Sequence, residues 1–221
     1  MFSAAIKCGS SGGCVTPTVT PLYLNREFLS GTRTLNLGPA VDGRIIVLGL
    51  VGQGTGANFS ATLGGLNPNY FNQGITSGTN ANAAYGVWNF PSGTSTSLVV
   101  SGYNGWGGLF LYSIVGWEGF NVLDFRTFTG GSWSFNTGVT QNSVIFGNWG
   151  TNEDGASVNK FYNFGFNNRY FSDGGEEDTG AAYEINTSFD PGKLITATAG
   201  GKRPALAFIS LSCNTENNAL S

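Results

Sequence analysis

Short runs of β-branched and aromatic residues dominate this sequence, and clusters of Gly, Asn, Ser and Pro separate them at intervals of about 10 residues. Several runs end in turn-forming sequences, such as Asn104-Gly105, Asp154-Gly155 and Asp190-Pro191-Gly192. No segment sustains the helical period of about 3.6 residues. This pattern is typical of an all-β sandwich or barrel. We therefore predict an antiparallel β-sandwich, jelly-roll-like, with an extended N-terminal arm.

The predicted strands differ in how their apolar residues are spaced. Leu35 and Leu37 alternate with polar residues, which predicts one buried and one wet face, whereas Ile45–Leu48 and Leu109–Tyr112 are unbroken apolar runs that predict central strands covered on both faces. The sequence shows no repeat of fixed length. The predicted strands are Thr32–Leu37, Arg44–Val51, Asn58–Leu63, Tyr85–Phe90, Thr96–Ser101, Leu109–Val115, Val122–Phe128, Ser132–Phe135, Ser143–Phe146, Ser157–Phe164, Ala181–Ile185, Leu194–Thr198 and Ala205–Leu211.

The N-terminal residues differ in composition from the rest of the chain. Residues 1–30 are rich in Gly and Ser and contain Thr16-Pro17 and Thr20-Pro21, which disfavour a helix. We expect residues 1–30 to form an extended arm, residues 31–213 to form the β-sandwich domain, and residues 214–221 to form a C-terminal tail.

Charge and histidine content exclude several functions. The chain has 10 Lys and Arg, 13 Asp and Glu and a formal net charge of −3, which argues against a nucleic-acid-binding protein. It has no His, so the commonest general base and the commonest metal ligand are both missing. No secretory signal and no apolar run long enough to span a membrane is evident. We expect synthesis in a cytoplasm and no membrane partner.

One third of the chain carries no charge. Between Arg44 and Glu118 lie 73 residues without a single ionisable Asp, Glu, Lys or Arg. Neutral polar surfaces lose less solvation energy than charged ones when they are buried against a partner. We interpret the stretch as a surface that packs against other subunits or neutral glycans. The alternative is an extracellular-type β protein with low charge and no special partner.

Aromatic residues near Asn and Gly are the candidate binding residues. Tyr103, Trp106, Trp133 and Trp149 have side chains suited to stacking on a sugar or a partner, although a Trp in a sandwich usually belongs to the core.

Carboxylates are the other candidates for chemistry. The acidic segment 173–178 supplies oxygen ligands for Ca²⁺ but lacks the usual ligand spacing, which favours a solvated loop. Glu118 with Asp124 or Glu184 has the residue types of a glycosidase pair, but their spacing favours the surface. No Ser or Cys has a His partner. We predict no catalytic residue, no metal site and no cofactor.

The three cysteines are Cys8, Cys14 and Cys213. An odd number of cysteines in a chain without an evident signal peptide favours free thiols in a reducing cytoplasm. The alternative is one disulfide that ties the arm to itself, through Cys8 and Cys14, or to Cys213.

An ordered series of segments resembles a known family. In chain order these segments are Thr32–Leu37, Gly43–Val51, Ser60–Gly65, Ala83–Gly102 and Gly107–Trp117. The series is similar to β-sandwich structural proteins carried by tailed bacteriophages and prophage-like particles. The resemblance covers residues 32–117 and extends loosely through Ala205–Leu211. It implies a virion component on the head or tail surface without enzymatic activity.

Together these observations predict a non-enzymatic structural protein of a tailed-phage virion, such as a capsid decoration or cement protein. Its expected partners are further copies of itself and the major capsid or tail proteins, and its expected location is the virion surface. The alternative is a carbohydrate-binding adhesin that recognises a host surface glycan. A polysaccharide-degrading enzyme is the third possibility.

Overall fold

A computed structural model describes residues 14–41, 43–53, 58–75, 81–90, 93–129, 132–152, 168–172, 177–198 and 202–214. Within these ranges the chain forms β-strands and no helix. The strands are β1 Thr18–Phe28, β2 Gly31–Asn36, β3 Ile45–Gln53, β4 Ser60–Leu63, β5 Tyr70–Ile75, β6 Ala81–Asn89, β7 Ser95–Ser101, β8 Trp106–Val115, β9 Phe120–Thr129, β10 Ser132–Val139, β11 Val144–Asn152, β12 Asn168–Ser172, β13 Glu177–Ile185, β14 Asp190–Thr198 and β15 Lys202–Cys213.

The strands form four antiparallel sheets. The first inner sheet has the order β1-β8-β3-β6-β5, and the first outer sheet has the order β2-β7-β4. The second inner sheet has the order β12-β13-β11-β15-β9, and the second outer sheet pairs β10 with β14. The predicted all-β antiparallel sandwich is confirmed. The jelly-roll assignment and the extended arm stay predictions.

Three hydrophobic cores separate the sheets. The central core lies between the two inner sheets and contains Val47, Tyr112, Phe146 and Ile209. The first outer core lies between the first inner and first outer sheets, where Leu48 meets Leu98. The second outer core joins the second inner and second outer sheets through Phe208 and Ile195 among others. The molecule is therefore a stack of four sheets.

The unbroken apolar run in β3 follows from this stacking. Ile45 and Val47 point into the central core, while Ile46 and Leu48 point into the first outer core. Because both faces of an inner sheet are buried, neither set of alternate residues is polar. The predicted central, doubly covered strand is confirmed.

The two halves of the chain repeat one topology. Read from its β9 edge, the second inner sheet has the order β9-β15-β11-β13-β12. Each of these strands corresponds in turn to a strand of the first inner sheet, β1-β8-β3-β6-β5. The sequence Ala-Ala-Tyr occurs in the equivalent strand of each half, as residues 83–85 in β6 and 181–183 in β13. In both copies the outer two residues face the central core and the middle Ala faces an outer core. The topology therefore repeats, although the sequence analysis found no fixed-length repeat, because loop lengths differ between the halves.

The two inner sheets face each other as equivalent partners. β3 lies against β11, β6 against β15, and β8 against β13. At the centre, the buried Asn148 side chain donates hydrogen bonds from Nδ2 to the carbonyl oxygens of Leu50, at 3.1 Å, and Ala84, at 3.3 Å. A Cβ on Gly49 would lie 2.8 Å from the same Nδ2, so only glycine leaves room for it. The halves thus pack about an approximate twofold axis parallel to β3 and β11.

This arrangement gives the molecule two different ends. β3 and β11 run in the same direction, because β3 begins beside the start of β1, β11 begins beside the end of β15, and the Cys14–Cys213 bond joins these two places. We call the end at which β1, β3, β9 and β11 finish the loop end. At the opposite end β1 starts and β15 finishes, so we call it the terminal end.

The predicted arm differs from the structure at residues 18–28. These residues form β1, which pairs with β8 along its length, with a bulge between Pro21 and Tyr23. An edge strand tolerates proline because one side of its backbone needs no partner strand, so the prolines did not exclude a strand here. β1, β5 and β12 were missed in the sequence analysis, and the predicted strand Ser157–Phe164 lies outside the described residues.

Candidate functional site

Trp106 is the predicted aromatic residue that the structure places on the surface. It begins β8 at the loop end and remains 50% exposed. Its register partner in β1 is Phe28, which is 44% exposed. The guanidinium carbon of Arg26 lies 5.1 Å from the centroid of the Trp106 ring, a cation–π contact. Phe28 and Trp106 thus form an aromatic patch beside a cation.

Tyr103 supports this patch from below instead of forming part of it. Its ring is buried and packs against Phe59, with the ring centroids 5.2 Å apart. Its hydroxyl donates a hydrogen bond of 3.0 Å to the carbonyl oxygen of Trp106. The prediction that Tyr103 contacts a ligand is wrong, because the ring fills the first outer core. Its role is to fix the turn that presents Trp106.

Trp133 and Trp149 belong to the second outer core. Trp149 is buried against Gly180, where an added Cβ would lie 2.3 Å from the indole ring. Trp133 is half-buried and packs against Phe128 at a centroid distance of 5.7 Å. Trp149 is therefore a core residue and not a binding residue, and the four predicted aromatics do not form one site.

Two of the three candidate carboxylates, Asp124 and Glu184, are spread across the second inner sheet. Asp124 is opposite Ser210, Ser210 is opposite Ile145, and Ile145 is opposite Glu184. Three strand spacings separate Asp124 and Glu184, or about 14 Å. Glycosidases hold their two carboxyl groups about 5–9.5 Å apart. These two carboxylates therefore lack the geometry of that chemistry.

Each of the two carboxylates has a cation beside it. Asp124 accepts a hydrogen bond of 2.9 Å from Nε of Arg126, and Glu184 forms an ion pair with Lys193. Glu118 is exposed in the turn before β9. The ion pairs give both carboxylates a structural explanation.

The predicted calcium segment lies mostly outside the described residues. Residues 173–176 are not described, and 177–178 begin β13. Elsewhere in the described part of the chain, no three His, Cys, Asp or Glu side chains come together as a metal site would need.

The cysteines pair differently from the favoured prediction. Cys14 and Cys213 form a disulfide at the terminal end, with their Cα atoms 5.9 Å apart. The expected free thiols are therefore wrong for these two residues, as is the Cys8–Cys14 pairing, whereas the alternative link to Cys213 is present. Cys8 lies outside the described residues.

A cluster of tyrosines lies in the central core. Burial raises the pKa of Tyr85 and of Tyr112 well above their ordinary value, and the neighbouring tyrosine of each adds to the effect. Burial also raises the pKa of Tyr183, whose ring meets that of Tyr112 edge-on at 5.6 Å. These hydroxyls stay neutral at physiological pH and have no feature of an acid–base site.

The outward faces of both outer sheets carry neutral side chains. On β2 and β7 every second residue points outward, and these residues include Thr32, Thr34, Ser95 and Ser97. We call this surface the hydroxyl face. On the second outer sheet, Leu194 is 62% exposed. The long uncharged stretch of sequence thus supplies most of the first half of the molecule, including a flat neutral face.

Sequence reasoning missed Phe28 and Arg26 as companions of Trp106. Both residues were assigned to the arm, so their pairing with β8 was not considered. The local signal was the short run Leu22–Leu24 of strand-favouring residues before Gly31. Register across two strands, however, is not readable from one sequence.

No protein-family model, curated protein or solved structure matches this chain. Among the described residues there is also no helix with the length and hydropathy needed to cross a membrane.

Proposed function

We propose that this protein is a non-enzymatic structural component of a tailed-phage particle, a decoration, cement or other surface protein that binds neighbouring subunits. The observation that carries the proposal is the hydroxyl face, because a flat sheet surface of Ser and Thr can be buried without removing water from an ion. Each half divides its strands between two facing sheets, which is consistent with the jelly-roll architecture of many capsid proteins.

The packing of the halves also supports an assembly role. The two inner sheets already bury each other's central faces. Further association must therefore use the outer faces, the sheet edges or the ends of the molecule. A virion surface, with many symmetric copies, multiplies weak contacts of this kind into stable attachment.

A charge introduced on the hydroxyl face tests the proposal. We expect the purified protein to form oligomers in light scattering, and Ser97→Lys to weaken them at least tenfold because the ammonium must be desolvated at the contact. Thr187→Lys, in the exposed turn after β13, is the matched control and should leave the oligomer unchanged. A wild-type protein that stays monomeric and does not bind particles would refute the proposal.

The aromatic patch supports a second candidate, a carbohydrate-binding adhesin. Trp106 and Phe28 are exposed side by side at the loop end, and flat aromatic rings stack on the apolar faces of sugars. The patch lies at the end of the molecule opposite the Cys14–Cys213 bond, so a particle protein held by its terminal end would present these rings outward.

A glycan array separates the two candidates. Binding of a defined glycan that is lost in Trp106→Ala favours the adhesin. Phe189→Ala removes a similarly exposed ring from the terminal end and serves as the control. If no glycan binds, or if both variants bind as the wild type does, the aromatic patch is not a sugar site.

A further inference from the structure

The disulfide at the terminal end joins two segments with unequal support. Cys213 is the last residue of β15 and pairs with Phe120 of β9, and the amide of the next residue, Asn214, donates a hydrogen bond of 3.1 Å to the Gly119 carbonyl oxygen. Cys14 precedes β1, whose ladder with β8 begins only at Thr18. One sulfur thus belongs to a sheet, and the other belongs to a segment outside it.

The segment of residues 14–17 has other attachments besides the disulfide: Cys14 packs against the central core and Pro17 is buried. Asn142 also holds this segment, since Asn142 Nδ2 donates to the Cys14 carbonyl oxygen and Asn142 Oδ1 accepts a hydrogen bond of 3.0 Å from Thr16 Oγ1. Val15 is 59% exposed. The disulfide is therefore the strongest link between this segment and the folded body.

The disulfide also borders solvent. A surface cavity of about 330 Å³ is lined by both cysteines together with Asn121, Thr140, Gln141, Asn142 and Ser212. None of these lining residues carries a formal charge, so neither an anionic nor a neutral thiol is repelled by a fixed charge of the lining. Thiol–disulfide exchange requires such access, because the attacking thiolate must reach a sulfur atom.

We propose that the Cys14–Cys213 disulfide is a redox-sensitive clasp: a small thiol entering the cavity opens it and frees residues 14–17 from the terminal end while the four sheets stay folded. One small thiolate attacks a sulfur of the Cys14–Cys213 bond, forms a mixed disulfide with that cysteine and releases the other cysteine. A second small thiolate attacks the small-thiol sulfur of the mixed disulfide and releases the remaining cysteine thiolate. Two small thiols are thereby oxidised to one disulfide, while Cys14 and Cys213 are reduced and each gains a proton.

The consequence for assembly rests on the proposed function. A reducing cytoplasm keeps the clasp open, and an oxidising exterior closes it. The N-terminal segment is then available to pair with a neighbouring subunit during assembly, and it is locked once the particle is released. Redox measurements on the isolated chain test the clasp alone. The clasp can therefore be refuted while the particle role stands, and the particle role can be refuted while the clasp is observed.

Thiol titration and hydrogen exchange of the full-length protein test the clasp. In oxidising buffer we expect one reactive thiol, Cys8, and after treatment with reduced glutathione without denaturant we expect all three cysteines to react. Amide exchange of residues 14–18 should then accelerate at least tenfold, while peptides from β3 and β15 keep their protection. Cys8→Ser should show the same response as the wild type, and Cys14→Ser should exchange like the reduced protein even in oxidising buffer.

Three results would overturn the proposal. They are three reactive thiols in the folded protein under oxidising conditions, no reduction until denaturant is added, and loss of protection in β3 on reduction. The last would identify the disulfide as a staple of the whole fold. If Cys14→Ser fails to fold, that result likewise contradicts the clasp, since the proposal requires sheets that stand without the bond.

Discussion

At the residue scale, several large aromatic rings lie directly on glycines of the sheets. Trp149 lies on Gly180 across a β11–β13 pair, and a Cβ there would lie 2.3 Å from the indole. We expect Gly180→Ala to lower the free energy of unfolding by about 1–3 kcal/mol, because neither the buried ring nor the sheet can move away without strain. Gly192→Ala, where nothing lies within 4 Å, should change it little. Urea unfolding of both variants measures the difference, and equal stability would contradict it.

Because of its buried tyrosines, we expect the protein to lose unfolding free energy at high pH. Burial raises the pKa of Tyr85 and Tyr112 above 10.0 in the folded protein, so above pH 10 the unfolded chain ionises these groups while the folded protein keeps them neutral. Their contribution to stability is complete below pH 10 and decreases as pH rises beyond it. Each fully buried tyrosine should reduce the unfolding free energy by about 1.4 kcal/mol per pH unit there.

Urea unfolding between pH 9 and pH 11.5 tests this dependence. The slope should become shallower in Tyr112→Phe, which retains the ring and removes the ionising hydroxyl. A wild-type stability that is flat across this range would show that the hydroxyls reach water.

At the element scale, β1 determines which N-terminal truncations are tolerated. Deleting residues 1–13 removes no described strand, and we expect the melting temperature to change by less than about 3 °C if the Cys14–Cys213 bond is kept. Deleting residues 1–30 removes β1 and exposes the edge of β8 together with Ile114 of the central core. We expect that protein to aggregate or to lose cooperative unfolding. A stable, soluble 31–221 fragment would show that β1 is dispensable.

Strands with strong local signals were predictable, and strands defined by pairing were not. Ile45–Leu48 identified β3 because a run of apolar residues has few explanations other than burial on both faces. β1 and β5 were missed because their burial is partial and their polar residues, such as Asn25, Asn72 and Gln73, suit a loop equally well. At the site, Trp106 is exposed and Tyr103 is buried, a difference that one sequence does not show because it arises only once the sheets are assembled.

At the scale of the whole molecule, the shared central core couples the two halves. Leu98 is fully buried in the first outer core, and Leu206 is fully buried in the second. A substitution at each position therefore perturbs a different half of the molecule. Replacing either by Ala should cost about 2–5 kcal/mol. We expect both variants to shift one and the same thermal transition in calorimetry, because each half needs the other's inner sheet as its cover. Two separate transitions would show that the halves fold independently.

The closeness of Cys14 and Cys213 in space also has a practical consequence. The two residues are near neighbours, although 199 positions separate them in the chain. In a shortened chain that begins at Cys14 and ends at Asn214, a protein or label fused to either terminus would therefore emerge on the same side, leaving the opposite surface unobstructed. A short peptide between these two positions could close that backbone into a circle, which would allow new termini to be opened elsewhere.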